Sequence, residues 1–149
     1  MAERYRAIII KDDKICLMER CKKGKHFYVF PGGKREENET EKDCCERELL
    51  EEFGINIKAK KMIYKITQKG EEQGYFVCEW ISGEIHKTDA EEYSQNDTSL
   101  YGTYNPTQIP LADLEKALIF PSEVKFQLIK DLKKYGNSLN RPLIKFKCE

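Results

Sequence analysis

Residues 33–55 run GKREENETEKDCCERELLEEFGI, and the fold is read outward from them. Thr40 is placed as an N-cap, with Asp43 three residues on as a weaker capping-box partner, and Gly54 stands where a C-terminal glycine stops a helix. The stretch 41–53 is therefore expected to be helical. On such a helix Glu48, Glu51 and Glu52 fall at i, i+3 and i+4, so three carboxylates share one patch. They repel one another, and they lie in the last turn, where the helix dipole is already negative. A hard divalent cation removes that penalty. Magnesium favours carboxylate and water oxygens and keeps positions open for substrate phosphates, so the triplet is a candidate platform for phosphate chemistry. Cys45, Leu49 and Phe53 form the opposite, apolar face.

The plainer alternative is that acidic helices are common and that Glu51 and Glu52 simply face water beside Lys42 and Arg47. The spacing around the triplet argues against it. Gly33, five residues, Glu39, seven residues, Arg47-Glu48-Leu49, one residue, Glu51-Glu52, one residue, Gly54-Ile55 match every fixed position of the Nudix box. At ordinary residue frequencies such a coincidence is expected on the order of once in a million chains of this size. The chain thus resembles the Nudix hydrolase family.

That resemblance implies an α+β fold, an α/β/α sandwich with a mixed sheet and a loop-helix-loop motif, and hydrolysis of a nucleoside diphosphate linked to another moiety. It assigns Glu48, Glu51 and Glu52 as Mg²⁺ (or Mn²⁺) ligands, with the backbone carbonyl of Gly32 as a further one. Arg47 resembles the arginine that orients neighbouring carboxylates. Glu39, Gly33 and Gly54 support the motif, although Arg47 and Glu39 also suit an ordinary surface ion pair. The general base is left open between Glu52, on the helix, and Glu91 or Glu92, in a polar loop downstream. The substrate reading is a (deoxy)nucleoside triphosphate or oxidised nucleotide. ADP-ribose or dinucleoside polyphosphates are the alternatives, and a nucleotide sensor lacking catalysis is the competing class.

Further out, Tyr5 to Ile10 and Ile15 to Glu19 are β-prone runs around the polar tetrad 11–14, a hairpin. His26 to Phe30 is a strand ended by Pro31-Gly32-Gly33. Ile55 to Tyr64 and Gln73 to Ser82 follow as strands, the second so apolar that it suits a central position buried on both faces. The stretch from Gly83 to Asn105 is polar and irregular, and loops of that length are often functional. Ser122 is placed as the cap of a last helix carrying Val124, Leu128, Ile129 and Leu132 on one stripe and stopping at Gly136. Pro142 to Phe146 is either an edge strand or a docked tail. Phe27, Tyr28, Phe76 and Trp80 could stack a base, though core packing is the commoner role of strand aromatics, Tyr75 included.

A chain of 149 residues suits one domain over 1–149. With 26 basic and 26 acidic residues the formal charge is zero, which removes the electrostatic footprint of nucleic-acid or anionic-membrane binding. The N-terminus lacks a signal peptide's apolar stretch, and the longest early apolar run, Ala7 to Ile10, is far too short to span a bilayer. Six scattered cysteines without a C-x-x-C pair, and histidines only at His26 and His86, argue for reduced, mostly buried thiols in a cytoplasmic protein and against structural zinc. A homodimer is left open, with the exposed sheet edge or the C-terminal strand as its interface.

Overall fold

The computed structural model describes residues 2–88 and 102–149. Strand β1 (Glu3–Lys11) turns tightly through Asp12 and Asp13, both at positive φ, into β2 (Lys14–Lys22). Then come β3 (Lys25–Val29), the short β4 (Gly32–Lys34) and helix α1 (Glu41–Phe53). A long hairpin, β5 (Asn56–Gln68) and β6 (Glu71–Ser82), follows. After the loop come β7 (Thr103–Pro110), a 3₁₀ turn at Leu111–Asp113, β8 (Ile119–Phe120), α2 (Ser122–Tyr135) and β9 (Ile144–Cys148).

The sheet runs β8-β3-β2-β1-β6-β5-β9, with β4 added on β1 and β7 on β2. It is mixed: β1 lies parallel to β6 and β5 parallel to β9, while the hairpin pairs are antiparallel. β1 and β2 pair only at Ile10 with Ile15 and Lys11 with Lys14. Beyond that point they part, β1 taking β4 as its neighbour and β2 taking β3, so two wings open from one hairpin.

Alternation assigns the two faces. Tyr5, Ala7 and Ile9 of β1, with Cys16 and Met18 of β2, join Cys45, Leu49 and Phe53 of α1 in one core. Ile8, Ile15 and Leu17 point the other way, into a second core with Val124 and Leu128 of α2. A helix therefore covers each face, the expected sandwich.

The 41–53 helix has the expected bounds. Thr40 Oγ1 accepts from the Asp43 amide at 3.0 Å, and Gly54 ends the helix at φ 70°. Several expectations need correction. Ser122 is not the cap of α2 but its first residue: Pro121 takes the N-cap position, where its fixed φ suits a helix entry, and no side chain caps it. Gly32-Gly33 does not merely end a strand but begins β4. β6 is central, yet only part of it is buried on both faces, since Ile81 is 53% exposed. Residues 103–105, read as loop, open β7. The tail is resolved as an edge strand, β9. All six cysteines are free and five are buried, and burial pushes the Cys16 and Cys44 thiols up to about 12, which keeps them protonated and unreactive. No helix among the described residues is long and apolar enough to cross a membrane.

Candidate active site

The acidic face of α1 meets the backbone of β4, and two glycines permit the approach. At Gly32, φ is 140°, and a Cβ would stand 2.1 Å from the Tyr5 carbonyl oxygen, so no side chain fits. At Gly33 a Cβ would stand 2.5 Å from the Glu48 carboxyl carbon; that carboxylate fills the space a side chain would take. One turn on, Glu52 Oε1 accepts from the Gly32 amide at 3.1 Å. Glu48 and Glu52 are 8% and 7% exposed. The plainer reading, in which Glu52 faces water, is thereby corrected. It fits Glu51 alone, whose side chain is 51% exposed.

Arg47 holds the rest of the motif together. Its Nε and Nη2 grip Glu39 at 2.6 and 3.1 Å, its Nη1 donates to Glu48 at 3.1 Å and to Glu51 at 3.2 Å, and Nη2 also reaches the Lys34 carbonyl at 3.1 Å. Glu36 stands 3.3 Å from the same Nε. A planar fork answers several carboxylates at once, which a lysine could not. Glu39 accepts a further bond from the Glu36 amide at 2.9 Å, fixing the loop ahead of the helix.

The hydrogen bond from Arg47 is the main reason the Glu39 carboxyl lies below the usual range, and the same bond raises Arg47. Because Glu39 is depressed in the folded chain, its contribution to stability is present above the unfolded value near 4.3 and is lost as pH falls through the folded value. Thermal midpoints measured from about pH 6 down to pH 3 should fall more steeply for the parent than for Glu39→Gln. Parallel slopes would refute this role for the pair.

The residues fit a divalent cation in two respects. Two largely buried carboxylates stand at one edge of the β4 backbone, and the cradle at Gly33 exists only because it lacks a side chain. Among the described residues no three carboxylate, imidazole or thiol side chains close on one point. Magnesium asks for less, since one or two carboxylates suffice when waters and substrate phosphates complete its shell. The Gly32 carbonyl, a candidate further ligand, accepts from Arg6 Nη1 at 3.3 Å, which leaves its second lone pair.

Glu91 and Glu92 lie outside the described residues. The segment leading to them is fastened to the end of α1: the His86 amide donates to the Phe53 carbonyl at 3.0 Å, and the Thr88 hydroxyl donates to the Glu51 carbonyl. The imidazole of His86 lies over Gly54, and its Nδ1 is 2.8 Å from the Glu84 carbonyl. Sequence reasoning missed this clasp and the Arg6 contact, because backbone carbonyls as partners leave no trace in residue spacing. Of the aromatics considered for stacking, Phe76 is a core residue, 3% exposed, and Tyr75, expected to pack, is 0% exposed. Trp80 is partly buried under Lys11.

Comparison with known proteins agrees with this geometry. A family model described as NUDIX domain matches residues 1–116. An uncharacterized Nudix hydrolase, YvcI of Bacillus subtilis (strain 168), is 34% identical over 77 residues, covering 50% of this chain and 46% of that protein. The match thus spans about half the length of this curated relative. Among solved structures, an ADP-ribose pyrophosphatase from Streptococcus suis superposes with a TM-score of 0.67 at 19% identity, covering 98% of each chain. A NUDIX hydrolase from Nitrosomonas europaea gives 0.71 at 13% identity over 98% of this chain and 77% of its own. A MutT structure, from work on the Aliivibrio salmonicida and Vibrio cholerae proteins, gives 0.68 at 22% identity, over 87% and 97%. At these identities the structures speak for the fold alone.

Proposed function

We propose a divalent-metal-dependent phosphoanhydride hydrolase, because this chain belongs to the Nudix hydrolase family, whose domain model matches residues 1–116, and its acidic motif is complete. The reaction is water attack on a phosphoryl group of a nucleoside diphosphate-linked substrate. A (deoxy)nucleoside triphosphate or oxidised nucleotide is the preferred substrate class. The observation that carries the reading is the seating of Glu48 and Glu52 against the Gly32-Gly33 backbone, with Arg47 holding Glu39, Glu48 and Glu51.

Glu48, Glu51 and Glu52 would hold Mg²⁺ or Mn²⁺, with the Gly32 carbonyl as a further donor. When bound, the cation neutralises phosphoryl oxygens and lowers the pKa of an attacking water. The protein's own part is orientation. The Gly32 amide fixes one oxygen of Glu52 and so sets the direction of the carboxylate, and Arg47 offsets the repulsion among carboxylates that would otherwise splay the motif. The proton of the water is taken by Glu52 or by a loop glutamate, Glu91 or Glu92. We read residues 1–149 as one such domain, and its free, buried thiols suit a cytoplasmic enzyme.

The test is release of phosphate or pyrophosphate from a panel of ordinary and oxidised (deoxy)nucleoside triphosphates, ADP-ribose, NADH and dinucleoside polyphosphates. Turnover should require Mg²⁺ or Mn²⁺ and vanish with a chelator. Nucleotide binding without hydrolysis of any member, with either ion, would favour the sensor and overturn the enzyme.

A further inference from the structure

At one end of the sheet the last strand is held in place and has no neighbour outside it. β9 lies parallel to β5, with Tyr64 beside Ile144 and Gln68 beside Cys148, and it ends the strand order, so no described strand pairs with its outer edge. Both flanks of the strand are fastened. Ahead of it, Arg141 Nη1 donates to Asp131 at 2.8 Å; behind it, the Glu149 amide donates to the Glu123 carboxylate at 2.8 Å and the Glu149 carbonyl accepts from Gln68 Nε2 at 3.0 Å. An edge so fixed presents N–H and C=O groups in a row to another extended chain, with little ordering left to be done.

The side chains decide what such a chain must carry. Ile144 and Phe146 pack on the core beneath α2 and are half-buried, whereas Lys145 and Lys147 point to the opposite face and are exposed. Register brings Lys65 of β5 beside Lys145. The three lysines line a groove of about 310 Å³ with Thr67 and Glu72, and Glu72 pairs with Lys65, at 3.4 Å. Lys145 and Lys147 have no ion-pair partner among the described residues. A second copy of the chain is a poor match. Antiparallel pairing of the whole strand about Phe146 sets Lys145 opposite Lys147 on both sides of the axis, and like charges directly opposite destabilise a pair. Edge lysines guard a sheet against joining its own kind, and the same ladder is complementary to an acidic strand.

We propose that β9 is a docking edge for an acidic, extended peptide segment of a partner protein, one that carries a carboxylate at every second residue and an apolar side chain between. Added to β9, such a segment completes the row of main-chain bonds, sets its carboxylates beside Lys145 and Lys147, and lays its apolar side chains along the open flanks of Ile144 and Phe146. The inference stands apart from the hydrolase reading, since the carboxylates of that reading lie on α1 and β9 pairs with β5 alone.

Fluorescence anisotropy with the full chain tests this, using a labelled peptide of alternating glutamate and valine about nine residues long. The peptide should bind, release as salt is raised, and protect the main-chain amides of β9 from hydrogen exchange. A peptide of the same composition, with its glutamates in one block and its valines in another, keeps the charge but puts carboxylates on both faces, and should bind about tenfold more weakly. Lys145→Glu combined with Lys147→Glu, both at exposed positions, should weaken the alternating peptide about tenfold, whereas Lys25→Glu, on β3 toward the far end of the sheet, should leave it unchanged. The two peptides are compared on the parent protein, so that comparison decides without any variant. No binding, equal binding of the two peptides, or a charge-reversed variant indifferent to the change would each overturn the proposal. So would tighter binding of a single-stranded oligonucleotide to the same lysines, or protection of the β9 amides in concentrated protein without peptide, which would make the edge a nucleic-acid surface or a dimer contact.

Discussion

Glu52→Gln is expected to lower kcat by about a thousandfold or more, which corresponds to roughly 4 kcal/mol of barrier. The substitution is a clean one. The glutamine oxygen can still accept from the Gly32 amide, now bonded to Glu52 at 3.1 Å, so the helix keeps its seat on β4 and only the charge is lost. Both roles open to Glu52, holding the cation and taking the proton, need that charge, so the loss should fall on kcat. Circular dichroism and the thermal midpoint should stay near the parent's. Turnover within tenfold of the parent would remove Glu52 from the chemistry and direct attention to Glu91 and Glu92.

Asp131→Ala is expected to cost about 3–5 kcal/mol of stability and so to lower Tm by roughly 10 °C. Asp131 is 3% exposed and collects three donors: Tyr64 Oη at 2.5 Å, Arg141 Nη1 at 2.8 Å and Gln127 Nε2 at 3.2 Å. These tie α2 to β5 and to the segment leading into β9. Removing the carboxylate leaves the Arg141 guanidinium, whose side chain is 9% exposed, without its counter-charge. Burial, with the bond to Asp131, raises the Tyr64 phenol, so in the parent it stays protonated and donates to the carboxylate. Asp131→Asn keeps the shape and should cost less. A loss under about 1 kcal/mol for the alanine variant, from urea or thermal unfolding, would show that the network is not the fastening described.

How much of this was legible in the sequence differs element by element. Helix α1 announces itself because its cap, its apolar face and its stop are all local signals, and the motif spacing names its chemistry. β5 was cut short at Tyr64 for a physical reason. Register shifts between Ala59 and Lys61 and between Met62 and Tyr64 leave Lys60 and Ile63 as extra residues, so the alternation that marks a strand breaks twice along its length. Its hairpin turn at Lys69-Gly70, with both residues at positive φ, closes a ribbon whose flanks, Lys65 to Gln68 and Glu71 to Gln73, are mostly polar. β7 carries Pro106 and Pro110, residues that interrupt the usual signature of a strand. It pairs with β2 alone, at an edge where proline is tolerated. At the site, the grip of Arg47 on neighbouring carboxylates is what the resemblance implies, whereas the seating of Glu48 on Gly33 comes from the structure alone. The contacts of Arg6 and His86 come from the structure too, because each meets main-chain groups that topology alone brings near.

The sheet that separates the two cores also partitions the consequences of mutation. One core contains the residues beneath α1, and the other contains those beneath α2 together with Tyr64 and its anchor on Asp131. Damage at Asp131 and damage under α1, for instance Leu49→Ala, share no side-chain partner, so their costs should sum to within about half a kcal/mol. A lineage carrying this fold can therefore spend its stability margin on the tail-side layer, accumulating substitutions there, while the layer that carries the carboxylates stays unchanged.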